Sequence, residues 1–292
     1  MFDFILHALI VAAIYGIASI SLNLQAGVSG LMNFGQVAFW GLGGYGVAFA
    51  GVAGLSPWIG LAGGMMAGAL LGVAVGQLGR NLDAEYWAIA TLGIAEIIRL
   101  VLLNESGAGG LGGDLSLIPV TDGRSALIAM LGLVMPALVL CYGFVSRLTE
   151  SQFGRELRLM REQPNLSLTF GHDTVGAKIR VMAVGGAIAA LAGGLSTSYI
   201  SYISPSEMMP ATTFLIWTMI IIGGIGNHRG AILGAFIVEA IFLSAMFAKD
   251  GLSIPTEAIG ALRTLIIGAV LLGFLLLRPK GALSEEPRKF DA

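Results

Sequence analysis

Charge is what this chain has least of: 16 Lys and Arg with 18 Asp and Glu make up 12% of its 292 residues, about half the share found in soluble domains. Together with 56% hydrophobic residues and a mean hydropathy of +0.85, the deficit excludes a water-soluble globular domain and indicates a polytopic membrane protein. Cysteine is nearly absent. The single Cys141 cannot form an internal disulfide and sits in an apolar run, where it reads as a small packing residue. Only three histidines occur, His7, His172 and His228, and the lack of H-E-x-x-H and of any Cys/His cluster excludes a zinc protease. There is no G-x-x-x-x-G-K-[ST] phosphate loop, so the chain is not expected to hydrolyse nucleotide itself. A net charge of −2 spread over short loops argues for neither nucleic acid nor a polybasic lipid anchor. No Lys or Arg precedes Arg80, so Met1-Phe2-Asp3-Phe4 lacks the positive region of a cleaved signal peptide and residues 4–24 are expected to be a retained helix.

What the chain has is long apolar runs. They fall near 4–24, 36–54, 57–79, 86–103, 126–145, 179–200, 211–225, 230–248 and 259–277, each bounded by Gly, Pro or charge, and an α-helix of about 20 residues crosses a hydrocarbon core. The expected fold is an all-α polytopic membrane protein of about eight or nine transmembrane helices, some short or glycine-broken. Residues 1–283 are expected to form one transmembrane domain and 284–292 a short polar tail. Short cytoplasmic loops retain Lys and Arg. Residues 146–180 carry Arg147, Arg155, Arg158, Arg161, Lys178 and Arg180, which assigns that loop to the cytoplasm. Counting outward, 104–125 is external, whereas 80–85, 226–230 and the C-terminal Arg278, Lys280, Arg288 and Lys289 are internal. This pattern leaves the side of the N-terminus open, and it leaves 36–54 either spanning or re-entrant.

Small residues are patterned. Gly60, Gly64, Gly68, Gly72 and Gly76 recur every four residues, and Gly185, Ala189 and Gly193 lie beside Gly186, Ala190 and Gly194; such faces let helix backbones approach closely, which is what holds membrane bundles together. Ionisable side chains at membrane depth are costly unless paired or facing water. Glu96 and Arg99, three residues apart, share a helix face and can neutralise each other; an internal structural pair and a solute-path lining are both open readings. Glu239 and Arg263 also fall in apolar runs and are candidates for a second pair. Two glycine-rich stretches, "FGQVAFWGLGGYGVAFA" (34–50) and "IIIGGIGNHRGAILGAF" (220–236), interrupt hydrophobic runs. Unwound backbone is tolerated at membrane depth where it is buried in protein or lines a cavity. Asn33, Gln36, Gly43 and Gly44 at the first break, Gly223 and Gly224 at the second, and Glu96 with Arg99 are therefore candidates for a translocation pathway, with tight turns as the plainer alternative. Asn23 adds another uncharged polar group near the first break. "GVSG" (27–30) resembles the serine motif of intramembrane rhomboid proteases, but Ser29 would need an imidazole within reach, and His172 in the cytoplasmic loop and His228 at a membrane edge are poor partners.

The polar stretch "GRELRLMREQPNLSLTFGHD" (154–173) reads as a short amphipathic helix bearing Arg155, Arg158 and Arg161, a stop or bend at Pro164, and a second short element whose Leu166, Leu168 and Phe170 form an apolar ridge suited to a partner's groove. With "SLNLQAGVSGLMNFGQVAFWGLGGYG" (21–46), "YWAIATLGIAEIIRLVLLN" (86–104), "GRELRLMREQPNLSLTFGHDTVGAKIRVMAVGGAIAALAGGL" (154–195), "IIGGIGNHRGAILGA" (221–235) and "LLRPKGAL" (276–283), the chain resembles the permease subunits of branched-chain amino acid ABC importers, and more the LivM-like subunit ending in "LRPKG". The resemblance implies a type II-like importer permease bundle in the bacterial cytoplasmic membrane. It also implies a second related permease, two cytoplasmic ATP-binding subunits and an extracytoplasmic solute-binding protein, with ATP and Mg used by the ATPases and no cofactor on this chain. It makes the polar loop the coupling helix, so that Arg161, Glu162, Leu166, Phe170 and Gly171 are expected at the ATPase contact. Family members usually carry an acidic-alanine run where this chain has "QPNLSLTF", and "TGG" where it has "AGG" (108–110). A rival reading, an ion-coupled secondary transporter or channel for a small neutral or zwitterionic solute such as urea or an amide, accounts equally for the broken helices and the Glu96/Arg99 pair.

Overall fold

The computed structural model describes residues 2–80, 82–105, 107–118 and 123–252, together with 268–269, 272–273, 276 and 281–283. The segment expected at 259–277 lies outside the described residues apart from those few positions, as do Arg263, the basic positions 278, 280, 288 and 289, and the tail 284–292.

Helix α1 (Phe2–Leu22) runs into a π-helical turn, Asn23–Val28, and a buried non-helical stretch leads to α2 (Gln36–Val52). Next come α3 (Pro57–Leu78) and α4 (Ala84–Asn104), the two-residue strand β1 (Leu111–Gly112), and α5 (Gly123–Glu150). A short arm of α6 (Gln152–Glu162) and α7 (Pro164–Thr169) leads to α8 (Thr174–Ile200) and β2 (Tyr202–Ile203); a 3-10 turn, Pro205–Met208, precedes α9 (Pro210–Gly223) and α10 (His228–Leu252). Proline opens α3, α7 and α9, where its missing N–H has no intrahelical partner to lose. The Asp173 carboxylate caps α8 by accepting from the Gly176 N–H at 2.9 Å.

The tightest packing joins α2, α3 and α8. The space a Cβ would need on Gly64 is taken by Gly43 of α2, on Gly68 by Gly186, and on Gly72 by the Met182 backbone of α8. On α2 and α8 the same holds for Gly43 against Ala190 and Gly193 against Trp40. The two small-residue faces expected from the sequence thus meet each other, with α2 wedged beside them.

Direction across the membrane follows from two contacts. Arg124, at the start of α5, donates to Asp3 at 2.7 Å, so the N-terminus shares the end opposite Glu150 and the arginine-bearing α6. With the arm expected in the cytoplasm from its charge bias, the N-terminus, at the opposite end, is expected to be external. Gly51, at the far end of α2, abuts Leu115, while the start of α2 lies beside Ser21; α2 therefore runs outward and does not return to its own side. At the outer end β1 and β2 pair antiparallel, Leu111 opposite Ile203 and Gly112 opposite Tyr202, tying two external connections together.

Among the described residues five helices are long and apolar enough to cross a membrane, or six counting the bent α9–α10 pair as one, against the eight or nine expected. The run at 36–54 yields a helix of 17 residues, about 25 Å long and short of a core about 30 Å thick. The runs at 211–225 and 230–248 are one bent unit: α9 has 14 residues, and the axis turns through 116° into α10. The loop read at 146–180 is mostly helical, because α5 continues to Glu150 and α6 and α7 follow at once.

Candidate functional site

Five uncharged polar side chains, Ser21, Asn23, Gln25, Asn33 and Gln36, are completely buried where α1 ends and α2 begins. Buried polar groups are costly unless hydrogen-bonded, and here they bond one another. Asn33 Nδ2 donates to Gln25 Oε1 at 2.6 Å and to Gln36 Oε1 at 3.0 Å. Gln36 Nε2 donates to Ser21 Oγ at 2.9 Å, and Ser21 Oγ donates to the Gly185 carbonyl of α8 at 2.6 Å. The open backbone before α2 is satisfied from three sides: Asn33 Oδ1 accepts from Gly35 N–H, Thr91 Oγ1 of α4 from Phe34 N–H, and Thr213 Oγ1 of α9 from Val37 N–H. Trp217 Nε1 donates to the Asn33 carbonyl at 3.0 Å. The second break joins the same cluster, because Gly226 N–H donates to Asn23 Oδ1 at 2.8 Å and Asn23 Nδ2 lies 2.9 Å from His228 Nδ1.

Asn33 and Gln36 are thus brought together at a buried hub. Gly43 and Gly44 pack closely on neighbouring elements: Gly43 on the Ala190 backbone, and Gly44 on Ile203 and Thr197. Gly223 packs against Gly230. Gly224, at φ 117°, makes the sharp turn into α10, a conformation glycine supplies at no steric cost. Residues 282 and 283 close this turn from the C-terminal side, their N–H groups donating to the Ile222 and Gly223 carbonyls.

Glu96 and Arg99 form a two-pronged pair, Nε to Oε2 at 2.9 Å and Nη2 to Oε1 at 2.5 Å. The pair is not inside the bundle. Arg99 is 16% and Glu96 36% exposed, on the helix that buries the smallest share of its residues among the five spans. Glu239 lies half-buried on α10.

In the arm, Leu166, Leu168 and Phe170 are 39%, 59% and 68% exposed, Glu162 is open to solvent, and Gly171, at φ 76°, ends the element. Arg161 reaches back from the arm to the end of α1. Its guanidinium turns toward the membrane and donates to the Gly27 carbonyl in the π-helical turn, while also pairing with Glu162 at 3.1 Å. Ser29 donates to the Gln25 carbonyl; His7 bonds Tyr199 and His228 bonds Asn23, so the serine acquires no histidine partner from these two, and His172 sits beside Glu156 in the arm.

Sequence reasoning missed Ser21, Gln25, Thr213, Trp217 and His228 as members of the hub. A signal was present for the first two. Ser21, Asn23 and Gln25 alternate inside an otherwise apolar run, and uncharged polar residues at membrane depth want partners on other helices.

Membrane-crossing helices packed through glycine around a buried polar centre, with a basic arm at one end, define a multi-pass membrane protein. Residues 4–275 match the family described as branched-chain amino acid transport system / permease component, and the chain belongs to it, as a transport component and not an enzyme. It is 29% identical to the probable branched-chain amino acid transport permease protein LivM of Methanocaldococcus jannaschii over 98% of this chain and 94% of that one. Identity is 25% with the high-affinity branched-chain amino acid permease LivM of Escherichia coli, over 92% and 68% of the two chains, and 26% with the probable LivH of M. jannaschii, over 79% and 76%. The LivM-like resemblance read from the sequence is borne out.

Proposed function

We propose that this chain is one membrane half of an ATP-driven importer of branched-chain and other hydrophobic amino acids in a bacterial cytoplasmic membrane. It works with a second related permease, two ATP-binding subunits that use the ATP and Mg, and an extracytoplasmic binding protein. Residues 1–283 act as the permease domain, and 146–180 as its coupling segment. The observation that carries this reading is the ridge of Leu166, Leu168 and Phe170, exposed on the polar, arginine-bearing arm between α5 and α8. Apolar side chains held open in water at a membrane protein's cytoplasmic end fit a groove on a soluble partner. An ion-coupled carrier would leave that ridge without a use.

ATP binding would close the ATPases and move the arm with them, because a ligand shifts such an equilibrium only through different contacts in its two states. The outward face of α4 bearing Glu96 and Arg99 is the best candidate for the solute path shared with the second permease. A charged pair at membrane depth is favoured there over bare lipid. Cysteine placed at Phe170 is expected to crosslink to a co-purifying ATPase, and vesicles holding the complete assembly to take up leucine only with ATP. A lone oligomer of this chain that accumulates solute without ATP would overturn the proposal in favour of the ion-coupled carrier.

A further inference from the structure

The cytoplasmic arm and both glycine-rich breaks converge on one short piece of backbone, the π-helical turn Asn23–Val28. From the arm, Arg161 donates to the Gly27 carbonyl. Its methylene stem occupies the place beside Gly30 where a side chain would project, and Gly30 itself has φ 75°. From the first break Asn33 reaches Gln25 at 2.6 Å, and from the second Gly226 and His228 hold Asn23. Arg161 is 134 residues from Gly27, and Gly226 is 203 from Asn23; this one turn receives hydrogen bonds from all three segments.

The turn is suited to motion. A π turn carries one residue more per hydrogen-bonded loop than an α turn and occurs mostly as a local, often functional, interruption. Moving its register by one residue would rotate whatever follows. One donor in it is also unsatisfied: among the described residues Gln25 Nε2 is buried with no hydrogen-bond partner, and it lies against Gly185 of α8. A buried unmatched donor is a cost that another arrangement of the turn can remove.

We infer that Arg161 is a positioning residue, a latch that passes movement of the α6–α7 arm to the π-helical turn and through it to both broken segments at once. The inference rests on the reading that an ATPase drives the arm, and it divides the arm by face. Leu166, Leu168 and Phe170 take the push, while Arg161 on the membrane side holds the turn. A charge-assisted hydrogen bond to a carbonyl near a helix C-terminus is stronger than a neutral one, so Lys preserves part of the latch and Met none.

The test uses the whole assembly in vesicles with Cys141→Ala and Ser29→Cys as background. Ser29 is buried in this structure and bonded to the turn, so its labelling by a small maleimide reports rearrangement there. With Arg161→Met, ATP hydrolysis is expected to persist, uptake per ATP to fall about tenfold or more, and the nucleotide-dependent change in Ser29→Cys labelling to vanish. Arg161→Lys is expected to restore most of both. Should Arg161→Met fail to assemble, Arg161→Gln takes its place against Arg161→Lys. Nucleotide-dependent labelling that survives in the Met or Gln variant, with hydrolysis intact, overturns the latch. Failure of the import reading looks different: the unaltered assembly would hydrolyse ATP without amino acid uptake, and the labelling comparison would still decide the role of Arg161.

Discussion

Asn33 makes four hydrogen bonds at full burial, to Gln25, Gln36, Gly35 and Trp217. Each contributes about 0.5–1.5 kcal/mol net, but a buried group left unpaired costs about 1–3 kcal/mol; losing this one side chain strands several partners at once. Its polarity and its place before a glycine-rich run were legible in the sequence, whereas its partner on α9, Trp217, was not. Glu207 is a carboxylate whose titration the fold alters at the outer end. Burial raises its carboxyl above the usual range, beside Tyr45. A raised folded-state pKa favours the protonated form, so this residue's contribution to stability is complete below about pH 4 and is lost as pH rises through the raised value. Glu207→Gln is therefore expected to raise the melting temperature in detergent at neutral pH and to leave it unchanged near the ordinary carboxylate pKa, a comparison read by thermal unfolding at the two pH values.

Among elements, α3 shows how one spacing serves two purposes. Its glycines at every fourth position face α2 and α8, with Gly72 pressed on the Met182 backbone, whereas Gly63 has open space beyond it. Gly72→Val must push two backbones apart and is expected to cost about 1–3 kcal/mol or to prevent folding. Gly63→Ala, by contrast, is expected to be neutral or to stabilise by up to about 1 kcal/mol through helix propensity. Thermal unfolding and the monodisperse yield of the two variants distinguish them. The four-residue period identified the groove from sequence. Which helix fills it, and that α9 and α10 form one bent unit in place of two spans, depended on packing that hydropathy does not encode.

For the whole molecule, the Asp3–Arg124 pair puts the N-terminus at the end opposite the basic arm, so by the charge rule the N-terminus is expected outside and α7 inside. A membrane-impermeant maleimide on intact cells is expected to label Phe2→Cys but not Thr169→Cys, and on inverted vesicles the reverse; the opposite pattern would invert the assigned topology. Sequence by itself determined that the chain lives in lipid and which family it resembles. Those features reside in composition, charge bias and runs within single segments. Only tertiary structure decided that Arg161 turns toward the membrane, that Gly43 and Gly44 pack helices together, and that two breaks far apart in the chain meet at one turn. Such contacts are chosen by helix packing and by the need of buried amides for partners, which act across distances in sequence that no local pattern reports.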